Sequence, residues 1–150
     1  MTMQDIWHLP DPETQPEFYA DVPAKRLVAF VVDTLVILGL SLVVVPFTAF
    51  AGLFFFPLLM AAVGFAYRVV TIARASATWG MQLVAIEFRA RDGGRFDLGL
   101  AFAHTLGLAI SFGLPLLQVV SIVLMLTQPR GQGLSDLVLG TVAVNRRAAM

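Results

Sequence analysis

Three charged residues stand beside or within apolar stretches, where an isolated charge is costly. Arg26 and Asp33 lie seven residues apart at the start of the first apolar stretch, and Asp136 follows the last one. Seven residues are about two helical turns, so Arg26 and Asp33 project from one helix face with their Cα atoms about 10.5 Å apart along the axis. In such surroundings a carboxylate either forms a structural ion pair or couples to the movement of a proton or an ion.

The composition predicts that these charges belong to a membrane protein. Of the 150 residues, 58% are hydrophobic and 13% are charged, and the mean hydropathy is +0.82. Soluble domains are only about 45–50% apolar, so we expect the lipid bilayer as a partner. A net charge of zero gives no electrostatic basis for binding nucleic acid. The absence of cysteine excludes thiol catalysis, disulfides and thiolate metal sites.

The first apolar stretch predicts a helical hairpin. No charged residue lies between Asp33 and Arg68, a run longer than the ~20 residues of one membrane span. Pro46 and Gly52 break this run. The predicted helices cover about 23–46 and 52–73. Positions 33 and 68 are equally far from the turn, so Asp33 and Arg68 lie at the same depth on adjacent helices. Two interpretations of Asp33 stay open: a structural ion pair with Arg68, or a proton- or ion-coupled carboxylate.

The loop at 76–97 separates the two main apolar regions. Apolar residues alternate with others from Val84 to Phe88, which predicts a short strand, and the Asp-Gly-Gly sequence at 92–94 predicts a turn after it. Four arginines make this region basic: Arg74, Arg89, Arg91 and Arg95. Basic loops stay on the cytoplasmic side of a membrane, so we expect this loop and the N-terminus to face the cytoplasm.

The second apolar region, Leu98 to Thr127, is interrupted by the glycine and the proline of "SFGLPLL". It predicts either one tilted, kinked helix that crosses once, or two short helices, at about 98–112 and 114–127, that enter and return. These alternatives place the C-terminus on opposite sides of the membrane. The return is favoured because the segment 141–145 has the composition of a strand and would pair with the strand in the cytoplasmic loop. The C-terminus is then cytoplasmic.

No motif for catalysis is present. The chain has no Gly-rich phosphate loop, no His-Glu-x-x-His and no nucleophile elbow. His8 lies in an acidic N-terminal segment, residues 1–22, which we predict to be a flexible tail, and residues 146–150 form a second tail. His104, in the second apolar region, is interpreted as a hydrogen-bonded interior residue. We therefore expect no enzyme, no catalytic residue, no cofactor and no metal site.

These residues, in this order, resemble the RDD family of small membrane proteins, which is named for one arginine and two aspartates. The resemblance assigns them to Arg26 and Asp33 in "RLVAFVVD" and to Asp136 in "LSDLVLGTVAV". The stretch "TWGMQLVAIEF" is similar to the Thr-x-Gly element of the family, at Thr78 and Gly80.

Two positions depart from the family pattern. His104 stands where an arginine is common, and Ser135 stands where a histidine is common. The candidate functional residues are therefore Arg26, Asp33 and Asp136, with Arg68 as a charge partner and with His104, Thr78, Gly80, Gly140 and Thr141 as further candidates.

The hairpin leaves one arginine without a predicted partner. If Arg68 meets Asp33, then Arg26, nearer the cytoplasm, remains for Asp136. We predict that these two side chains pair and close the end of the chain onto its beginning. The alternative is that Asp136 only caps a short helix, Leu137 to Gly140.

Together the segments predict an all-α membrane protein with three to four transmembrane or re-entrant helices and a small cytoplasmic β element. Its membrane domain covers residues 23–145, and we expect it in the bacterial inner membrane. The resemblance implies transport of a small solute or ion, or an accessory role in transport. So few helices cannot enclose a water-filled path alone, so we expect a homo-oligomer or a membrane-protein partner. The alternative function is a structural subunit that assembles a membrane complex without transporting a solute.

Overall fold

The computed structural model describes residues 9–146, which are mostly helical with one small sheet, and this confirms the predicted fold class. The helices of this described part are α1 (Val22–Val44), α2 (Phe56–Ala75), α3 (Trp79–Leu83), α4 (Leu98–Gly113), α5 (Pro115–Thr127) and α6 (Leu134–Leu139). Its strands are β1 (Ile86–Arg89) and β2 (Val142–Asn145).

Within residues 9–146, two helices are long and apolar enough to cross a membrane, namely α1 with the turns that flank it, Pro16–Thr48, and α2. The α4–α5 pair passes the same test when it is taken together, but it is bent by 118° at the break between the two helices. Large apolar side chains on these helices are more than half exposed on the outer surface: Leu35, Leu42, Leu58, Leu116 and Leu126. Apolar surface of this extent is suited to lipid, and the chain is a membrane protein.

The connection between α1 and α2 is longer than predicted. Two 3₁₀ turns occupy 45–48 and 51–53, joined by Ala49 and Phe50 with φ of 55° and 64°. Helix α2 begins at Phe56 rather than at about 52, with a proline in its first turn. Proline is favoured at this place because the first backbone N–H groups of a helix have no partner within it.

The loop at 76–97 contains a short helix that the sequence did not predict. Helix α3 begins after Thr78, whose hydroxyl oxygen accepts a hydrogen bond from the backbone N–H of Met81 at 3.2 Å. It packs against α1. The strand that follows begins at Ile86, later than predicted, because the chain leaves α3 through Ala85 in the left-handed conformation, with φ of 57°.

The two strands pair antiparallel, with Ile86 opposite Asn145 and Arg89 opposite Val142. This confirms the pairing predicted between the loop and the segment 141–145. The pairing also returns the chain to the side of the molecule from which α4 departs. The chain bends sharply at Leu114, which has extended backbone between α4 and α5.

The tail predicted to be flexible is packed over the part that the structure describes. Leu9 and Tyr19 are buried against Val142 and Val144 of β2. The Asn145 side chain donates hydrogen bonds to two backbone carbonyls of the same segment, those of residues 17 and 20, each at 2.8 Å. The prediction missed this packing because it weighed the acidic residues of the segment more heavily than its apolar ones. His8 and residues 147–150 lie outside the described residues.

Candidate functional site

Asp33 lies on α1 and its side chain is buried, with only 2% exposed. Its Oδ1 accepts hydrogen bonds from the Tyr67 hydroxyl at 2.7 Å and from the Gly80 backbone N–H at 2.9 Å. Its Oδ2 accepts a hydrogen bond from the Thr78 hydroxyl at 2.6 Å. The Arg68 Nη1 lies farther away, at 3.9 Å from Oδ2. Three short hydrogen bonds, together with this longer charge contact, satisfy the buried carboxylate.

Positions 33 and 68 were predicted to lie at one depth because they are equally far from the turn, and the 3.9 Å distance between Arg68 Nη1 and Asp33 Oδ2 agrees with this. The prediction missed Tyr67, which makes the shorter contact. The signal was available, because a hairpin that brings position 68 level with position 33 also brings position 67 there. A buried tyrosine needs a hydrogen-bond partner, and an aspartate at the same depth is a suitable acceptor.

The Thr-x-Gly element attaches α3 to α1 through Asp33. Thr78 precedes the first residue of α3, and its hydroxyl makes two hydrogen bonds. The hydroxyl oxygen accepts from the Met81 backbone N–H and so caps the helix, while the hydroxyl hydrogen is donated to the Asp33 carboxylate. A Cβ added at Gly80 would overlap the Ala29 backbone oxygen and lie 2.8 Å from Asp33 Oδ1. Glycine is therefore required at position 80, because its backbone approaches the first helix too closely for any side chain.

Asp136 is the centre of a second cluster, and it is fully buried. Its Oδ2 lies 2.7 Å from the Arg26 Nη1 and accepts a hydrogen bond from the Gly133 backbone N–H at 3.2 Å. Its Oδ1 lies 2.8 Å from the His104 Nε2 and accepts a hydrogen bond from the Thr141 hydroxyl at 2.8 Å. The predicted contact between Arg26 and Asp136 is present, and His104 is hydrogen-bonded in the interior as interpreted from the sequence.

Burial raises the pKa of the Asp136 carboxyl, but the Arg26 guanidinium and His104 more than offset this and hold the pKa well below its usual range. The carboxyl is therefore ionised at neutral pH and can only accept hydrogen bonds. It follows that the His104 Nε2 carries the hydrogen of their shared bond.

Asp136 also stabilises the short helix in which it lies. It occupies the first turn of α6, which begins at Leu134 rather than at the predicted Leu137, and bonds the backbone that precedes the helix. The ion pair and the capping role, which the sequence presented as alternatives, occur together.

The remaining candidates close the end of α6. Gly140 has a φ of 72° and ends the helix in the left-handed conformation, which glycine adopts without strain. The next residue, Thr141, donates its backbone N–H to the Asp136 carbonyl and its hydroxyl to the Asp136 carboxylate. Ser135, at the position where the family commonly has histidine, contacts α4 instead, since a Cβ added at Gly107 would lie 2.6 Å from its hydroxyl oxygen.

A cavity of about 270 Å³ lies among α1, α2, α4 and α5, between the two carboxylate clusters. Four of its lining residues carry ionisable side chains from the two clusters: Arg26, Asp33, Arg68 and His104. Two polar residues that the sequence analysis did not single out, Thr105 and Gln118, also line it. No sequence pattern marked them, because neither belongs to a recognisable motif. Within residues 9–146, no group of three or more histidines or acids is placed to hold a metal ion.

The two clusters bring together all of the candidate residues from the sequence except Gly140, which ends α6. Thr78, Gly80 and Arg68 surround Asp33, while His104, Thr141 and Arg26 surround Asp136. No curated protein and no solved structure matches the chain. The sequence profile of the RDD family matches residues 21–140, which is more than half of the chain and includes the arginine and both aspartates. The chain belongs to the RDD family.

Proposed function

We propose that this protein transports a small solute or ion across the bacterial inner membrane, or acts as an accessory to such transport, as an oligomer or in a complex. One observation carries the proposal: ionisable side chains line a cavity within a bundle of apolar helices. Charged and ionisable groups are expensive inside a membrane domain and mark pathways for solutes and ions where they occur.

The two clusters give this cavity fixed polar walls. Each carboxylate is held by at least three contacts shorter than 3 Å, so neither needs to rearrange to remain satisfied. The arginines are less enclosed, with side-chain exposures of 14% for Arg26 and 15% for Arg68. A solute in the cavity would therefore meet the Arg26 guanidinium, which Asp136 holds in place, and the Arg68 guanidinium, which lies 3.9 Å from Asp33. Such an arrangement supplies preorganised charge without a cofactor.

An oligomer or a complex is proposed because α4 and α5 are short and their outer faces are apolar. Helix α5 has 13 residues, about 20 Å, which is less than the ~30 Å of a hydrocarbon layer. A re-entrant segment of this kind is stable in a membrane only where protein covers its ends. The exposed apolar side chains of α4 and α5 provide a surface for a second copy or for another subunit.

The experiment is a flux measurement on purified protein reconstituted in vesicles, with light scattering to follow the entry of a panel of small anions, cations and neutral solutes. Transport predicts that the protein accelerates the entry of at least one class of solute above that of protein-free vesicles. The same preparation is sized by its scattering mass to determine its oligomeric state.

The structural alternative makes a different prediction. A subunit that only assembles a complex would give no flux with any solute, would be monomeric in mild detergent, and would copurify with a defined partner from native membranes.

The proposed orientation, with both termini in the cytoplasm, rests on the basic residues around the sheet. A C-terminal reporter that is active only on the outer side would contradict it.

A further inference from the structure

Three polar groups that line the cavity have no hydrogen-bond partner for their side chains among the described residues. Within the described part of the chain, the Thr105 hydroxyl oxygen and the Gln118 Oε1 are buried and make no hydrogen bond. Arg68 makes no side-chain hydrogen bond to any residue of 9–146. Its nearest charge is Asp33 at 3.9 Å, and its guanidinium carbon lies 5.9 Å from the centre of the Phe30 ring. Buried polar groups are almost always satisfied, so the Thr105 hydroxyl and the Gln118 Oε1 point to a ligand, and the partly buried Arg68 guanidinium has donors available for it.

The charges in the cavity favour an anion over a cation. Asp33, the one acidic residue among those that line the cavity, already accepts three hydrogen bonds and has little capacity left. Arg26 is matched by Asp136 at 2.7 Å. Arg68 is thus the charged group whose hydrogen-bond donors remain available. A guanidinium presents paired donors that fit the two oxygens of a carboxylate, and the Thr105 hydroxyl can supply a further donor.

The other walls of the cavity are apolar, which argues against a bare inorganic ion. They are formed by aromatic and aliphatic side chains: Phe30, Leu108, Phe112, Ile122 and Met125. An inorganic ion would lose its water against this surface without burying any apolar area of its own, whereas the carbon skeleton of an organic ligand would be buried favourably. The volume of about 270 Å³ would hold about nine water molecules at ~30 Å³ each, so the ligand is small.

We propose that the cavity binds a small organic monocarboxylate, with its carboxylate on Arg68 and Thr105 and its apolar body against the α4 and α5 side chains. This inference rests on the proposed function, because it names the class of solute that would be transported. Gln118 lies on α5 and can form a hydrogen bond to a second polar group of the ligand through its side-chain amide.

The test measures binding of benzoate to the full-length protein in lipid nanodiscs by calorimetry. Benzamide, which has the same shape without the charge, and inorganic phosphate, which has charge without the ring, are the comparisons. We expect benzoate to bind and benzamide to bind roughly tenfold to hundredfold more weakly, the range for losing a hydrogen bond to a charged group. Phosphate should also bind more weakly, because it has no apolar body to bury against the α4 and α5 side chains. This comparison uses the unaltered protein, so it does not depend on any variant folding. Equal binding of benzamide, equal binding of phosphate, or no binding of benzoate would overturn the proposal.

Variants then locate the site. Arg68→Gln and Thr105→Val should each weaken benzoate binding, the first by roughly tenfold or more. Arg74→Gln removes an exposed arginine from the same helix outside the cavity and should bind like the unaltered protein. If Arg74→Gln and Arg68→Gln lose binding equally, benzoate binds elsewhere and the proposal fails. Benzoate binding without benzoate flux would uphold this inference and count against transport. Flux of a cation without benzoate binding would uphold transport and overturn this inference.

Discussion

The Arg26 guanidinium and the Asp136 carboxylate lie 2.7 Å apart and join the first membrane helix to the last short helix. Between these positions the chain forms the hairpin, strand β1 and the bent pair of helices α4 and α5. The same aspartate holds His104 of α4, so one carboxylate fixes three elements. The buried pair thus closes the membrane domain on the side that carries the sheet.

Removing Asp136 should destabilise the fold strongly. Asp136→Asn leaves the Arg26 guanidinium mostly buried without its charge partner, and breaking one side of a buried pair costs about 3–5 kcal/mol. Adding Arg26→Gln to it should recover part of the loss, since no unpaired charge remains. Thermal unfolding in detergent measures both. Asp92→Asn, in an exposed turn, is the control and should change stability by less than about 0.5 kcal/mol. Strictly additive losses for positions 26 and 136 would contradict the pair.

The second aspartate should behave differently in the same kind of cycle. Asp33 is held mainly by Tyr67, Thr78 and Gly80, and Arg68 is 3.9 Å away. We therefore expect Asp33→Asn and Arg68→Gln to couple less strongly than the changes at positions 26 and 136, because the charges lie farther apart. Tyr67→Phe should cost about 1–2 kcal/mol, because it removes a hydrogen bond to a buried charge. A coupling between Asp33 and Arg68 larger than that between Arg26 and Asp136 would contradict this ordering.

Acid should weaken the protein through Asp136. Its folded-state pKa is depressed, so below the unfolded-state value of about 3.9 the unfolded chain binds a proton that the folded chain does not. The stabilisation is therefore complete above that pH and is lost as the pH falls below about 4. Melting temperatures between pH 7 and pH 3 should decline more steeply for the unaltered protein than for Asp136→Asn, which cannot titrate. Parallel declines would show that this carboxyl is not responsible.

Two glycines provide a matched test of the close contact between α3 and α1. Gly80→Ala should destabilise the protein by about 1–3 kcal/mol or more, because the new methyl group would overlap the Ala29 carbonyl. Gly39→Ala, in the middle of α1 with no atom within 4 Å of the added methyl, should be neutral or stabilise the helix by up to about 1 kcal/mol. The measurement compares the unfolding midpoint of each variant with that of the unaltered protein. Equal effects would mean that the two helices do not approach as closely as described.

The sequence predicted the contacts that follow from simple geometry. A hairpin has a fixed midpoint, so Asp33 and Arg68 had to lie level, and the single unpartnered strand at 141–145 had one available partner in the loop. With Arg68 level with Asp33, Arg26 was the arginine near the inner end of the first helix that remained for Asp136. These predictions needed only element positions and not side-chain packing.

What the sequence could not predict depends on how the elements pack. Helix α3 is five residues long and has no periodicity of its own, and it is held by its cap and by Asp33 on a distant helix. The bond between His104 and Asp136 depends on the angle at which the chain turns back between α4 and α5. Local propensity does not contain such information, because tertiary contacts decide between conformations of similar local energy.

The most direct test of the central claim, that the cavity is the path of a transported solute, is to fill it and measure flux. Leu108→Trp adds a large ring to a residue that lines the cavity, while Leu106→Trp adds the same ring to an exposed position of the same helix. In reconstituted vesicles with the solute that the unaltered protein admits fastest, we predict that Leu108→Trp reduces entry to the rate of protein-free vesicles and that Leu106→Trp retains it. Equal flux through both variants would contradict the account.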